Sequence, residues 1–184
     1  MGSDAGRSRR GWGRRHFADD RQHHRPGPPL CRGRKRGTQN QALGRSRGGF
    51  STKIHLRANA AGLPIGLLLT PGEAHDSTAY PDLMAEHDSD PNVLLADRGY
   101  DSDAIREDVR ARGGKPEIPT KKNRRVQHSV DRGLYALRNR IERFINRLKN
   151  SRRVATRYDH TATSFLGFAM LASIRQWISF VHAT

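Results

Sequence analysis

The sequence has few cysteines, few acidic residues and few aromatic residues. Its one cysteine, Cys31, cannot form an internal disulfide and fits a reducing compartment, the cytoplasm. No Cys/His cluster has the spacing of a zinc site. Lys and Arg number 34 against 18 Asp and Glu, a formal net charge of +16. This imbalance predicts a polyanionic partner, and nucleic acid fits better than a membrane surface.

Long uncharged apolar runs are also missing. The most apolar stretch, residues 165–181, is short for a membrane span and contains Arg175 and Gln176. We expect it to be a buried C-terminal helix and expect no membrane partner. The basic N-terminus lacks the apolar core of a signal peptide.

The composition changes near residue 38. Residues 1–37 are rich in Arg, Gly and Pro and show no apolar periodicity, which predicts a basic, disordered arm. Residues 38–184 predict a single α/β domain in which strands and helices alternate. The expected strands are 51–58, 63–70, 92–96 and 115–118, the last at a sheet edge because of Pro116. The expected helices are 77–86, 102–112, 134–149 and 161–182.

The helix predicted over residues 134–149 is the most informative part of the sequence. On a helical wheel four of its residues fall within an arc of about 60°; they are Tyr135, Arg138, Glu142 and Lys149. An apolar face lies on one side of this stripe and a basic face, with Arg140, Arg143 and Arg147, on the other. The pattern fits an ordinary amphipathic helix with a cationic solvated side, which most such helices are, and it also fits a carboxylate held beside DNA phosphates.

A second acidic residue, Asp97, follows the short apolar strand predicted at 92–96. Ligand-binding groups often lie where such a strand ends, although a turn or helix-capping Asp would look the same. If Asp97 and Glu142 lie close together, a divalent cation relieves their mutual repulsion. Mg²⁺ prefers a few carboxylates together with phosphate oxygens and water.

The spacing Tyr-x2-Arg-x3-Glu-x6-Lys resembles the signature of bacterial insertion-sequence transposases of the DDE type. Four further segments are similar to the IS-five-like branch of that family: GRSRGGFSTKIH (44–55), LTPGEAHDS (69–77), LLADRGYDSD (94–103) and RRVATRYDHTATSFL (152–166). The resemblance covers residues 38–184. It implies a ribonuclease-H-like mixed sheet flanked by helices, and DNA cleavage and strand transfer by an Asp-Asp-Glu triad with Mg²⁺ or Mn²⁺.

The resemblance assigns roles to individual residues. Asp97 matches the second Asp of the triad and Glu142 the Glu, so both are candidate catalytic residues and metal ligands. Arg138 and Lys149 are expected to hold phosphates, and Tyr135 to stack or hydrogen-bond near the cut strand. Further candidate DNA-binding residues are Arg140, Arg143, Arg147, Lys121, Lys122, Arg124 and Arg125.

His75 and Asp76 also match a family motif, but we interpret them as a turn and helix-cap pair before Ser77. We do not count Asp76 as a metal ligand. The implied partners are the inverted-repeat ends and target DNA, a homo-oligomer, or a full-length transposase on the bacterial nucleoid.

The family's first Asp has no counterpart. It stands in an Asp-Ser-Thr strand, whereas Asp19 and Asp20 lie here among Arg, His and Pro without a strand pattern. We therefore expect the sheet to lack its first strand. If the codons of residues 21–29 are read from their second base, they permit the sequence Asp-Ser-Thr-Ile-Val-Arg-Ala-His-His, which is in the style of the family's first strand. We therefore interpret residues 1–37 as the product of the wrong reading frame of a transposase gene.

Three functions remain open from the sequence. The chain is a transposase with little activity by itself, because the first Asp is absent. Alternatively, it is a non-catalytic DNA-binding fragment that inhibits or pairs with full-length transposase. The third is a structural nucleic-acid binder of the ribosomal-protein type, which would not need Glu142.

Overall fold

The computed structural model describes residues 14–21, 41–46 and 49–183, and for residues 14–21 it describes the backbone alone. Within these ranges six strands form one mixed sheet with the order β4-β3-β1-β5-β6, and β2 pairs with the start of β3. The strands are β1 (Arg14–Arg21), β2 (Gly44–Ser46), β3 (Gly49–Ala58), β4 (Pro64–Pro71), β5 (Val93–Leu95) and β6 (Lys115–Glu117). β1 runs antiparallel to β3 and parallel to β5, and β6 is parallel to β5 at the edge predicted from Pro116.

Helices cover both faces of the sheet. They are α1 (Tyr80–Ala85), α2 (Asp103–Ala111), α3 (Arg132–Ala136), α4 (Asn139–Lys149), α5 (Arg152–Ala155) and α6 (Ala162–Val181). Two 3₁₀ turns, Asp76–Ala79 and Arg98–Tyr100, precede α1 and α2. The element order predicted from residue 51 onward is therefore confirmed as far as β6, but four helices follow β6 where two are predicted.

Strand β3 separates two apolar cores. Ile54 and Leu56 face the first core, which also contains Phe144 of α4 and Phe165 of α6. The second core lies on the other face, under α1 and α2, and contains Leu94 of β5. A sheet with apolar contacts on both faces needs such a covering layer on each side, which gives three layers: helices, sheet, helices.

The polar face of β3 is buried too, which its alternating pattern does not predict. Lys53, His55 and Arg57 are 5%, 0% and 0% exposed. The Arg57 guanidinium donates hydrogen bonds to the carbonyls of Leu83 and Met84 at the end of α1. The free-energy cost of removing these polar side chains from water is offset by hydrogen bonds to specific partners.

The expectation that the sheet lacks its first strand is wrong. Strand β1 lies between β3 and β5, and in its register Asp19 pairs with His55 and Asp20 with Ile54. The sequence RRHFADDR has no apolar alternation, so pairing with two neighbouring strands, rather than its own pattern, accounts for the strand. The remainder of the arm predicted at 1–37 lies outside the described residues.

The single helix predicted over 134–149 is also wrong in one respect. α3 ends at Ala136 and α4 begins at Asn139, and the backbone between them forms i to i−3 hydrogen bonds. These bonds tighten the turn in the manner of a 3₁₀ segment. The wheel angles calculated for an unbroken helix therefore do not relate Tyr135 to Glu142.

The C-terminal helix is less buried than expected. α6 packs on the first core through Phe165 and Ala169, whereas Leu171, Ile174 and Ile178 are more than half exposed. By length and composition alone α6 is also able to cross a membrane, which is weak evidence because a core helix passes the same test. Contact on one side only explains why the prediction of a buried helix is only partly right.

Candidate active site

Asp97 lies where the sheet ends and a tight turn begins. It follows β5 with an extended backbone and occupies the N-cap position of the 3₁₀ turn Arg98–Tyr100, from which its side chain accepts no capping hydrogen bond. The amide of Tyr100 bonds instead to the Asp97 carbonyl at 3.0 Å. Its carboxylate is therefore not used in capping, and the side chain remains about a quarter exposed, at 27%.

Glu142 is held in the first turn of α4 by the burial of that helix's apolar face. Ile141, Phe144, Ile145 and Leu148 are all buried in the first core. These four residues fix the rotation of α4. Glu142 is therefore directed away from the core and toward Arg138, which also contacts Asp97 at the end of β5. Its side chain is 45% exposed, open enough for a ligand to reach it.

One guanidinium joins the two acids. The Arg138 Nη1 lies 2.7 Å from Asp97 Oδ1, and its Nη2 lies 2.5 Å from Glu142 Oε1. Asp97 and Glu142 are 45 positions apart in the sequence, yet both contact the same cation. Arg138 reaches both because it stands in the turn between α3 and α4, where the chain is wound more tightly than in an α-helix.

A broad cleft of about 1160 Å³ opens beside Asp97. Asp76, Arg98 and Gly99 line one part of it, and Thr120, His128 and Tyr135 line another. The cleft therefore exposes the end of β5 to a ligand much larger than a metal ion.

Tyr135 stands at the boundary between this cleft and Arg138. The Arg138 guanidinium lies 5.4 Å from the centre of the Tyr135 ring, a cation–π distance. Burial raises the pKa of Tyr135, although the nearby Arg138 opposes that shift. The phenol is consequently a neutral hydrogen-bond donor at physiological pH.

The chemistry of the two carboxylates fits a divalent cation. Both supply hard oxygen ligands, and both already bind one positive group at a single point. Among the residues whose side chains are described, no group of three His, Cys, Asp or Glu residues could hold a metal. Asp19 and Asp20 are described only as backbone positions in β1.

The predicted DNA-binding residues divide into two sets. Most are exposed or half-exposed, and these are Lys121, Lys122, Arg125, Arg143, Arg147 and Lys149. Arg140 and Arg124 instead make intramolecular contacts. Arg140 donates to the Ala60 carbonyl in the turn between β3 and β4, and Arg124 pairs with Asp101 and Asp103.

The Asp101 cluster was not found from the sequence. Burial acts to raise the Asp101 pKa, but hydrogen bonds from the Lys121 amide, Arg106 and Arg124 hold it below its usual value. Asp101 thereby ties the loop after β6 to the start of α2. The sequence signal was the acid-rich segment DRGYDSD, in which we had singled out Asp97.

The interpretation of His75 and Asp76 as a turn and helix-cap pair is only partly right. The residue at the N-cap of Asp76–Ala79 is His75, which makes no side-chain cap hydrogen bond. The Asp76 carboxylate pairs with Lys53 on β3 at 2.6 Å. Asp76 is therefore directed into the protein rather than along the helix.

Comparison with known proteins identifies the class to which this chain belongs. The sequence model of the family described as Transposase DDE domain matches residues 11–176. The chain belongs to that family, the DDE transposases of bacterial insertion sequences. The match begins inside the segment 1–37.

Two curated relatives carry the same description. The chain is 33% identical over 130 residues to a Brucella ovis protein named as the transposase of insertion sequence element IS6501, covering 70% of this chain and 99% of that protein. It is 33% identical over 121 residues to the Burkholderia cepacia counterpart for IS402, covering 60% of this chain and 55% of that one. The chain thus spans about half the length of the second relative.

One solved structure is also similar. A cryo-EM structure of the piggyBac transposase synaptic complex with hairpin DNA aligns with a TM-score of 0.42 and 11% identity. The alignment covers 61% of this chain and 24% of that one.

Proposed function

We propose that this chain is the catalytic portion of an insertion-sequence transposase, in which Asp97 and Glu142 carry the metal-dependent cutting and joining of DNA. The observation that carries the proposal is the convergence of both carboxylates on the Arg138 guanidinium. An ordinary amphipathic helix has no need to bring its acidic residue to the end of a sheet strand. The site also opens on a cleft large enough for a nucleotide segment.

The strand order supports a ribonuclease-H-like fold. Three strands, β4, β3 and β1, are consecutively antiparallel, and β5 and β6 follow in parallel to β1. In this arrangement β1 and β5 are neighbours, so acids near their ends stand close together. The fold assignment thus agrees with the proposed location of the site.

Asp97 and Glu142 would hold Mg²⁺ or Mn²⁺, which supplies charge stabilisation at phosphorus and activates an attacking oxygen. The protein's own contribution is positioning. Arg138 neutralises both acids in the absence of a cation and becomes available to a phosphate when they bind one. Tyr135 borders the same cleft. It is suited to stack on a base of the DNA strand being cut, or to donate a hydrogen bond to that strand.

The basic face of α4 and the loop after β6 would hold the DNA backbone. Arg143, Arg147, Lys121, Lys122 and Arg125 are exposed. Such contacts go mainly to phosphates and carry little sequence information. Terminal-repeat recognition would rest on other parts of the transposase, and the complex would act in the cytoplasm, on the nucleoid.

We further propose that the 184-residue chain by itself has little or no strand-transfer activity. Strand β1 is in place, but its acids, Asp19 and Asp20, are followed by Arg21 and Gln22 rather than by Ser-Thr. If residues 1–37 are encoded out of frame, the family's first acid is missing from the site.

The test compares two chains on DNA that carries the element's ends. One is the 184-residue chain; the other has residues 21–29 replaced by Asp-Ser-Thr-Ile-Val-Arg-Ala-His-His. We expect Mg²⁺-dependent cleavage from the second chain and its loss in Glu142→Gln. Cleavage that survives Glu142→Gln contradicts the proposed site, whereas cleavage by the unaltered chain contradicts only the proposal about the first acid.

A second candidate function is that of a non-catalytic fragment, which occupies DNA ends or pairs with full-length transposase. The exposed basic residues on α4 and in the loop after β6 favour it. Added in excess to an active transposase, the 184-residue chain should then reduce cleavage. The variant Arg143→Gln/Arg147→Gln should reduce it less, because it binds DNA more weakly.

A further inference from the structure

Three segments that the cutting chemistry does not use meet directly behind Asp97. They are the middle of β3, the turn before α1 and the turn after β5. Lys53 and His55 stand on the same face of β3 and are both buried. Each extends to a different turn, so one strand anchors both.

The first anchor is a buried ion pair. Lys53 Nζ lies 2.6 Å from Asp76 Oδ1 and also donates to the Ala74 carbonyl at 2.5 Å. The side chains of Lys53 and Asp76 are 7% and 4% exposed. A pair so well shielded from water is held in one geometry by its own attraction.

Asp76 in turn lies against the backbone of the Asp97 turn. A Cβ atom added at Gly99 would stand 2.0 Å from Asp76 Oδ2. Gly99 has no positive φ, so its lack of a side chain serves close approach rather than an unusual conformation. The carboxylate thus fills the space that any other residue two positions after Asp97 would occupy.

The second anchor holds the far end of the same turn. His55 Nδ1 lies 2.8 Å from the Tyr100 hydroxyl, and His55 Nε2 lies 2.7 Å from Thr70 Oγ1. Tyr100 is fully buried in the second core. The turn from Asp97 to Tyr100 is therefore held at its middle by Asp76 and at its end by His55.

We propose that Asp76 is a positioning residue for the metal site: paired with Lys53 and pressed against Gly99, it sets the direction in which Asp97 meets Glu142. This inference rests on the proposed function, since it concerns the same two acids. It differs from a role in folding alone, because it requires that loss of Asp76 weaken ligand binding at Asp97 even when the domain remains folded. Asp76 itself binds no metal.

The test measures Mn²⁺ affinity by electron paramagnetic resonance and thermal unfolding in parallel. Asp76→Asn leaves Lys53 buried without its carboxylate and risks unfolding, so the decisive variant is the double substitution Lys53→Met/Asp76→Leu. Apolar replacement of a buried ion pair is often neutral for stability. We expect the double variant to unfold near the wild-type temperature and to bind Mn²⁺ about 10- to 100-fold more weakly, as is usual when the support of a metal ligand is removed. Gly99→Ala should weaken binding in the same direction.

Tyr80→Phe is the control. It removes the 2.6 Å hydrogen bond that the Tyr80 hydroxyl donates to Asp108 of α2, so it should lower the unfolding temperature without changing Mn²⁺ affinity. Wild-type Mn²⁺ affinity in the folded double variant contradicts the positioning role. If Asp97→Asn leaves Mn²⁺ binding unchanged, the proposed function fails, and this inference fails with it.

Discussion

At the scale of single residues, Arg138 holds the two acids together when no metal ion is bound. It neutralises two carboxylates that would otherwise repel, so a metal ion must compete with it. In Arg138→Gln that competitor is gone, and we expect Mn²⁺ to bind about tenfold more tightly, which corresponds to about 1.4 kcal/mol. Calorimetric titration measures this affinity.

Arg143→Gln is the matched control for Arg138→Gln. It removes one charge from the adjoining helix α4 without touching either acid, and we expect little change in Mn²⁺ affinity. Equal affinities in wild type and Arg138→Gln would mean that Arg138 does not restrain the two acids in solution.

His55 predicts how stability depends on pH. Burial lowers its pKa from 6.5 to about 4, an effect that Asp76 opposes and Lys53 reinforces. Between these two values the unfolded chain takes up a proton that the folded chain does not, so stability falls as the pH is lowered. The loss from pH 7 to pH 4 is at most roughly 3 kcal/mol for this group.

Denaturant unfolding of wild type and His55→Gln at several pH values measures this contribution. Between pH 6.5 and pH 4 the unfolding free energy of His55→Gln should fall less than that of the wild type. The carboxylates titrate in both proteins, so their contribution cancels in the comparison. Parallel curves across that range would show that His55 does not titrate with the expected shift.

At the scale of secondary-structure elements, the turn between β3 and β4 couples the sheet to α4. Gly62 has a φ of +82°, and a Cβ there would lie 2.7 Å from the Arg140 Cβ. Gly62→Ala therefore combines backbone strain with overpacking, and we expect a loss of about 2–4 kcal/mol in unfolding free energy.

Two other glycines separate these causes. Gly113 has a φ of +76° with open space around it, so Gly113→Ala should show the backbone cost alone. Gly167 lies within α6 with no atom near its added Cβ, so Gly167→Ala should stabilise by about 1 kcal/mol. A Gly62→Ala loss no larger than that of Gly113→Ala would argue against the contact with Arg140.

Elements whose apolar pattern matches their environment were predictable from the sequence. β5 and α2 fall within two residues of their expected limits, and the apolar face of α4 is buried as expected. The missed features depend on tertiary contacts. β1 has no apolar alternation, the turn at Leu137 and Arg138 follows a pattern typical of a continuous helix, and α6 is apolar on a side that stays exposed.

The candidate site shows the same division. The end of an apolar strand and the spacing along a helix make Asp97 and Glu142 candidates, and the family resemblance assigns their roles. Nothing in either segment indicates that Arg138 also reaches Asp97, or that Lys53 pairs with Asp76, because both contacts join parts of the chain far apart in sequence.

At the scale of the whole molecule, we expect the net charge of +16 to govern the proposed association with DNA. Each phosphate contact contributes about −0.9 to the slope of log K against log salt concentration. We expect Arg143→Gln/Arg147→Gln to make that slope shallower by about 2 for duplexes of any sequence. Fluorescence anisotropy at several salt concentrations measures it.

Arg110→Gln provides the control for this prediction. Arg110 is exposed on α2, which covers the opposite face of the sheet from α4. Arg110→Gln is compared with the loss of one charge on α4. If both changes reduce the slope equally, net charge alone, and not the basic face of α4, binds the DNA.

The most direct measurement is a Mn²⁺ titration, followed by electron paramagnetic resonance, of wild type, Asp97→Asn, Glu142→Gln and the exposed control Glu107→Gln. If a strand end and a helix jointly form one cation site, either of the first two substitutions weakens binding at least tenfold, and the control leaves it unchanged. Wild-type affinity in both Asp97→Asn and Glu142→Gln would contradict a shared site.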